Sequence, residues 1–252
     1  MSELKTVLVD FDNTIYDDLG AMRRTFVLLK REYRFFKSVP LDELLSRFYF
    51  TDYKMQDLLR TGGMTPEEVN LKRTDMFLQN IGLPLKDDMV KEIHDRIREV
   101  HIRTGKPFSG VHEVLGELKK KYVIGVVTNH MGNYQRQKIA KSKLDKYIDF
   151  MIPAYDYNVF KPEEEIFKIA LKGANSSPDE TVMLGDNWKA DIKGALNAGI
   201  VPIWVNFKNQ PAPNPEFKNI IRSFYPASEV VSKIEEFYSK GIETMSLEEG
   251  VN

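Results

Sequence analysis

The chain has 252 residues, of which 42% are hydrophobic, and its 36 basic residues are nearly balanced by 37 acidic ones. This composition is sufficient for a substantial hydrophobic core, and it argues against extensive disorder and against a nucleic acid polymer or an anionic membrane as partner. The absence of cysteine excludes disulfides, a thiolate nucleophile and zinc sites built on thiolates.

The first predicted element is a buried strand over residues 6–11, TVLVDF, which runs into two acidic residues, Asp10 and Asp12. A buried carboxylate costs several kcal/mol unless it is paired with a cation or bound to a metal. The apolar part of this segment is too short for the core of a signal peptide, and no apolar stretch is long enough to span a bilayer. We therefore expect a soluble cytoplasmic protein whose first strand carries functional carboxylates.

For about ninety residues after this strand the pattern is helical, and no convincing strand candidate occurs. The clearest helices are predicted over 65–82 and 85–105, and the last residue of each range is a glycine. Thr65 is a candidate N-cap, and Pro66 stands at the first helical position. We expect four or five helices in this segment.

Strands and helices alternate in the rest of the chain. Further strands are predicted over 122–129, 149–154, 181–186 and 200–206, and helices over 111–122, 163–175 and 189–199. This alternation predicts an α/β fold with an open parallel sheet. The expected domains are a core formed by residues 1–15 and 107–242, a helical insert at 16–106 and a flexible tail at 243–252.

Polar and charged side chains follow four of the predicted strands. They are Asp10, Asp12 and Thr14 after the first strand, Thr128 and Asn129 after the second, Lys161 after the third, and Asp186, Asn187 and Asp191 after the fourth. Because the carboxyl ends of parallel strands meet at one edge of a sheet, we expect these residues to converge.

The converging residue types indicate phosphoryl chemistry with Mg²⁺ as cofactor. Crowded carboxylates repel one another unless a cation lies among them, and Mg²⁺ prefers oxygen ligands such as Asp10 and Asp186. Asp10 could also attack phosphorus, with Asp12 as general acid and base. Thr128, Asn129 and Lys161 would then bind the phosphoryl oxygens.

Four segments in this order, DFDNT, VVTN, FKP and GDNWKAD, resemble the four motifs of the haloacid dehalogenase-like (HAD) superfamily. The resemblance covers about residues 4–15 and 107–240. It implies a Rossmann-like parallel sheet with an inserted all-helical cap domain of the C1 type. Such a cap would favour small phosphorylated substrates.

The resemblance also implies a role for each matching residue. Asp10 is similar to the family nucleophile and metal ligand, and Asp12 to the acid/base residue, whose backbone carbonyl also binds the metal. Thr128 and Lys161 match the phosphate-binding pair, and Asp186 matches the second metal carboxylate. Asp191 matches an outer acid that orients metal-bound water, and we place Thr14 and Asn187 in the same supporting layer.

Asp12 favours a phosphatase, because family dehalogenases lack an acid at this position. The expected substrate is a small metabolite such as a nucleotide, a sugar phosphate or a phosphoglycolate-like compound. Two alternatives remain open at this point: a phosphomutase of the same superfamily, and a phosphate-binding module without turnover. The substrate and the oligomeric state have no readable motif.

Overall fold

The computed structural model describes residues 2–61 and 63–241, and it leaves the side chains of 52–54 and 56–61 undescribed. The predicted tail at 243–252 lies outside the described residues. Two compact units divide the chain: the residues up to Tyr16 together with those from Pro107 onward, and the segment Asp17–Lys106.

The first unit is built on one six-stranded parallel sheet with the order β3-β2-β1-β4-β5-β6. Its strands are β1 Thr6–Val9, β2 Val123–Thr128, β3 Phe150–Pro153, β4 Thr181–Gly185, β5 Val201–Val205 and β6 Ile220–Ile221. The first five were predicted from their apolar runs, and β1, β4 and β5 are buried along their whole length. The predicted α/β fold with a parallel sheet is therefore confirmed.

Helices flank this sheet. They are α5 Val111–Lys119, α6 Gly132–Lys141, α7 Ala154–Tyr157, α8 Glu164–Ala174, α9 Gly194–Asn197 and α10 Ala227–Lys240. The helix predicted over 189–199 is instead a π-helical turn, Trp188–Lys193, that leads into α9. Helix α8 begins at Glu164 with Glu163 as its N-cap, and Pro162 precedes this cap.

The second unit is helical, as predicted for this part of the chain. Its helices are α1 Asp18–Glu32, α2 Leu41–Thr61, α3 Pro66–Asn80 and α4 Asp87–Thr104, with a short 3₁₀ turn at Arg34–Phe36. Thr65 caps α3 as expected, because its hydroxyl accepts a hydrogen bond from the Glu68 amide while the Glu68 carboxylate accepts one from the Thr65 amide. Buried aromatic rings fill the centre of this unit.

The chain leaves and re-enters the sheet unit at adjacent positions. Tyr16 forms isolated bridges with Asp12 and with Pro107, and the Phe108 amide donates to the Ile15 carbonyl at 3.1 Å. Among the described residues, no helix combines the length and the apolar composition needed to cross a membrane.

Candidate active site

Three carboxylates meet at the carboxyl edge of the sheet. Asp10 follows β1, and its amide continues the pairing with β4 by donating to the Leu184 carbonyl at 2.8 Å. Asp186 follows β4, and Asp191 comes from the π-helical turn. Each of these three residues has an oxygen within 4.8 Å of the others. The strand order thus places acids from distant parts of the sequence around one point.

The ammonium of Lys161 is buried in contact with two of these acids. Its Nζ lies 2.7 Å from Asp10 Oδ1, 2.7 Å from Asp191 Oδ1 and 2.7 Å from the Val127 carbonyl oxygen. Burial alone would lower the pKa of Lys161, but the charges of Asp10 and Asp191 raise it above its ordinary value. Lys161 is therefore a permanent cation inside the acidic cluster.

This single cation does not offset all three carboxylates. Burial, reinforced by the charges of Asp10 and Asp191, raises the pKa of Asp186 to about 8. Burial also raises the pKa of Asp191, to about 6, although Lys161 opposes this rise. The site offers only oxygen donors, and when all three carboxylates are ionised their negative charge exceeds the positive charge of Lys161. Such a set of donors fits a divalent cation such as Mg²⁺.

A tight turn after β1 returns a hydroxyl to the acids. Asn13 has a left-handed backbone with φ of 64°, which asparagine tolerates better than most residues, and its amide donates to the Tyr16 carbonyl at 2.7 Å. The Thr14 hydroxyl then donates to Asp10 Oδ2 at 3.0 Å and lies 3.5 Å from Asp186 Oδ1. Thr14 is fully buried, so the turn fixes the orientation of the Asp10 carboxylate.

Asp12 has different neighbours from Asp10. Its Oδ1 pairs with the buried ammonium of Lys138, and its Oδ2 accepts a hydrogen bond from Gln135 Nε2 at 2.6 Å. His130 Nε2 is 3.8 Å from the same oxygen. The two acids at the end of β1 are therefore held by different partners, although only one residue separates them.

Thr128 lies beside Asp12 at the end of β2. Its hydroxyl accepts a hydrogen bond from Gln135 Nε2 at 2.8 Å, and its side chain is buried. Since the threonine oxygen accepts in this contact, its own hydrogen can be donated to an anion.

The two asparagines among the predicted site residues fix backbone segments. Asn129 Nδ2 donates to the Lys161 carbonyl at 2.9 Å, and Asn129 Oδ1 accepts from the Lys161 amide at 2.8 Å. Asn187 Oδ1 accepts from the amides of Lys189 and Ala190, and the Asn187 amide donates to Asp191 Oδ2 at 2.9 Å. In this arrangement the two side chains hold the loops that carry Lys161 and Asp191.

Gly185 allows the acids to approach one another. A Cβ atom at this position would lie 2.2 Å from the Asp191 Cβ, which is closer than any side chain permits. The glycine at the end of β4 is thus required for the close approach of the turn that carries Asp191.

Gln135 and Lys138 were not among the residues predicted for the site. Both lie on α6, which was not among the predicted helices, and both are completely buried. Their spacing of three places them on one helical face, so two polar residues at that spacing just after the second motif were the available signal.

Comparison with protein families identifies the family to which the chain belongs. The family model described as haloacid dehalogenase-like hydrolase matches residues 7–205. The chain belongs to the haloacid dehalogenase-like hydrolase family. This HAD membership confirms the resemblance carried by the four motifs.

The similar proteins include a HAD-hydrolase and a pyrophosphatase. YfnB of Bacillus subtilis, named as a HAD-hydrolase, is 24% identical over 241 residues, which cover 94% of this chain and 95% of YfnB. The pyrophosphatase PpaX of Bacillus mycoides is 27% identical over 206 residues, which cover 81% of this chain and 85% of PpaX. This chain is thus similar along most of its length to a HAD-hydrolase and to a pyrophosphatase.

Solved structures of two kinds share the fold. A structure of YfnB from Bacillus subtilis bound to magnesium has a TM-score of 0.73 at 21% identity and covers 92% of this chain and 100% of YfnB. The 2-haloacid dehalogenase of Pseudomonas syringae pv. Tomato has a TM-score of 0.64 at 23% identity and covers 92% of this chain and 99% of the dehalogenase. At these identities the likeness shows the HAD fold alone, so the reaction must be argued from the site.

Proposed function

We propose that this HAD hydrolase is a Mg²⁺-dependent phosphatase that hydrolyses a small phosphorylated metabolite through an aspartyl-phosphate on Asp10. One observation carries the proposal: the two carboxylates at the end of β1 have separate partners. Asp10 contacts Lys161 and Thr14, whereas Asp12 contacts Lys138 and Gln135. Two acids in distinct surroundings suit two distinct roles in one reaction.

The first half-reaction transfers the phosphoryl group to the protein. An oxygen of Asp10 attacks phosphorus, the bond from phosphorus to the leaving oxygen breaks, and Asp12 gives a proton to that oxygen. The Thr128 hydroxyl and the Lys161 ammonium offset the charge on the non-bridging oxygens. Asn129 supports this step by holding the backbone of Lys161.

The second half-reaction releases phosphate. Asp12, now ionised, accepts a proton from a water molecule that attacks the phosphorus of the aspartyl-phosphate. The bond between phosphorus and the Asp10 oxygen breaks, which regenerates the Asp10 carboxylate, and the proton taken from water returns Asp12 to the protonated form in which it began. The products are an alcohol from the first half and inorganic phosphate from the second.

The carboxylates of Asp10 and Asp186 and the backbone carbonyl of Asp12 would hold Mg²⁺. When bound, the ion neutralises negative charge shared by the phosphoryl group and the acids. Asp191 and Asn187 support this site, because Asp191 pairs with Lys161 and accepts from the Asn187 amide. The magnesium in the related YfnB structure supports the same choice of ion.

We also propose that the helical unit is the cap of this hydrolase and that it selects a small substrate. Support comes from its position in the sequence, between Asp12 and the second motif, and from the pyrophosphatase among the relatives. A panel of phosphorylated metabolites, assayed with Mg²⁺ for phosphate release, identifies the substrate.

The test uses 4-nitrophenyl phosphate with the full chain and Mg²⁺. We expect Asp10→Asn to abolish phosphate release, because a neutral amide cannot attack phosphorus, and we expect EDTA to silence the wild type. The matched control is Asp145→Asn, the same chemical change at an exposed position, which should retain wild-type turnover. Turnover by Asp10→Asn at the wild-type rate, or a rate unaffected by EDTA, would refute the nucleophile or the metal, respectively.

A further inference from the structure

Lys138 is a completely buried lysine outside the four family motifs. Its ammonium pairs with Asp12 Oδ1 and lies 4.8 Å from the ring centre of Tyr16 and 5.3 Å from that of Tyr134. The ring of Phe11 is 5.4 Å away. A buried ammonium needs such compensation by a counter-charge and by ring faces. The aromatic surroundings thus hold the cation at one place, against Asp12.

Gln135 lies one helical turn before Lys138 and is also completely buried. Its Nε2 donates to Asp12 Oδ2 at 2.6 Å and to Thr128 Oγ1 at 2.8 Å. One amide group therefore joins the proposed general acid to the proposed phosphate-binding hydroxyl. Together with Lys138, it gives each oxygen of Asp12 a partner on the same face of α6.

We infer that Gln135 and Lys138 are positioning residues that hold the Asp12 carboxylate towards the leaving oxygen of the substrate. This inference rests on the proposed function. Neither residue needs to touch the substrate, because both act through Asp12. A salt bridge that only stabilised the fold would affect every substrate equally, whereas a positioning role affects most the substrates whose leaving groups need a proton.

Two aryl phosphates of similar shape separate these possibilities. Phenyl phosphate has a poor leaving group that depends on protonation, and 4-nitrophenyl phosphate has a good one that depends on it much less. For each variant we compare kcat/KM for the two esters. The ratio of the two values is independent of the folded fraction of the preparation, so a variant that folds poorly still gives a valid answer.

Lys138→Met keeps an unbranched side chain of similar length but removes the charge, and Gln135→Met removes the amide. We expect each to lower the ratio of phenyl phosphate to 4-nitrophenyl phosphate by about tenfold, as part of the larger factor that general acid catalysis supplies. The matched control is Lys141→Met, the same change at an exposed position on the same helix. Its ratio should equal that of the wild type.

A double-variant cycle completes the test. In an Asp12→Asn background the proton donor is absent, so adding Lys138→Met should leave the ratio where Asp12→Asn alone puts it. An unchanged ratio in either Lys138→Met or Gln135→Met, or a further fall in the double variant, would overturn the inference and leave the proposed phosphatase activity intact. Failure of the wild type to release phosphate from either ester would instead overturn the proposed function, and the positioning role with it.

Discussion

At the residue scale, the site depends on buried charges that compensate one another incompletely. Lys161 contacts Asp10 and Asp191, whereas Asp186 has its pKa raised to about 8, first by burial and then by the neighbouring carboxylates. Without a metal, the ionised form of Asp186 is therefore disfavoured in the folded chain. The affinity of such a site for a divalent cation comes from relieving this repulsion.

Asp186 should make the stability of the metal-free chain fall with rising pH. Its folded pKa of about 8 exceeds the ordinary value of 3.8, so the folded state binds this proton more tightly than the unfolded state between those limits. Asp186→Asn removes the ionisation. We compare the free energy of unfolding of this variant with that of the wild type, both in EDTA. The difference should shift in favour of the variant by a few kcal/mol when the pH is raised from about 5 to about 9.

Urea unfolding at both pH values, in EDTA, measures this difference. Asp145→Asn is the control, because an exposed acid of this kind should show no pH-dependent gain. If Asp186→Asn and the wild type differed in free energy of unfolding by the same amount at both pH values, the proposed electrostatic origin would be contradicted.

The sequence predicted the convergence of the acids with Lys161 because each of these residues follows a strand of a parallel sheet. Gln135 and Lys138 could not be found in the same way, since their spacing places them on one helical face but does not show that this face is buried. Their contacts with Asp12 depend on how α6 packs, which is a tertiary property.

At the element scale, five of the six strands were predicted from their apolar runs, whereas strand β6 and helices α6 and α10 were not. Strand β6 has only two residues, and its pairing with Trp204 and Val205 of β5 depends on the neighbouring strand rather than on its own sequence. The turn at Trp188–Lys193 has a helical pattern, but the close approach of Asp191 to Gly185 accompanies a π-helical turn. The polar contacts of Asp191 with Lys161 and with the Asn187 amide are thus made from a π-helical turn and not from a regular helix.

The helical unit depends on a cluster of aromatic side chains. Phe77 of α3 is completely buried, with its ring centre 5.4 Å from that of Phe26 and 5.4 Å from that of Phe48. Phe77→Ala leaves a cavity among these rings, so we expect it to lower the free energy of unfolding by about 3–5 kcal/mol.

Chemical denaturation followed by circular dichroism measures the effect. Phe50→Ala is the control, because Phe50 of α2 is 61% exposed, and this change should stay within about 0.5 kcal/mol of the wild type. Equal losses in the two variants would show that ring burial does not determine the stability of this unit.

At the scale of the whole molecule, the strand order explains why Asp10 and Asp12, which both follow β1, have different neighbours. Strand β1 pairs with β2 on one side and with β4 on the other. Asp10 therefore faces the acids that follow β4, and Asp12 lies near Thr128 at the end of β2. The overall α/β class could be predicted from alternation, whereas this lateral arrangement required the order of the strands.

Binding of Mg²⁺ at this edge should stabilise the whole chain, because a ligand that binds only the folded state raises its stability by mass action. We expect the Tm to rise on addition of MgCl₂, by about 2–4 °C for each kcal/mol of binding linkage. Differential scanning fluorimetry measures the rise, with NaCl at the same ionic strength as control. A rise of equal size in Asp186→Asn would place the ion elsewhere.

The chain crosses from the sheet to the helices and back through neighbouring segments. Tyr16 bridges to Pro107, and within the helical segment itself the Asp17 amide donates to the Lys106 carbonyl at 3.0 Å. A segment whose two ends meet in this way can vary in length without separating the residues that it joins. Inserts of other lengths could therefore join the same two positions, while the residues at the edge of the sheet stay the same.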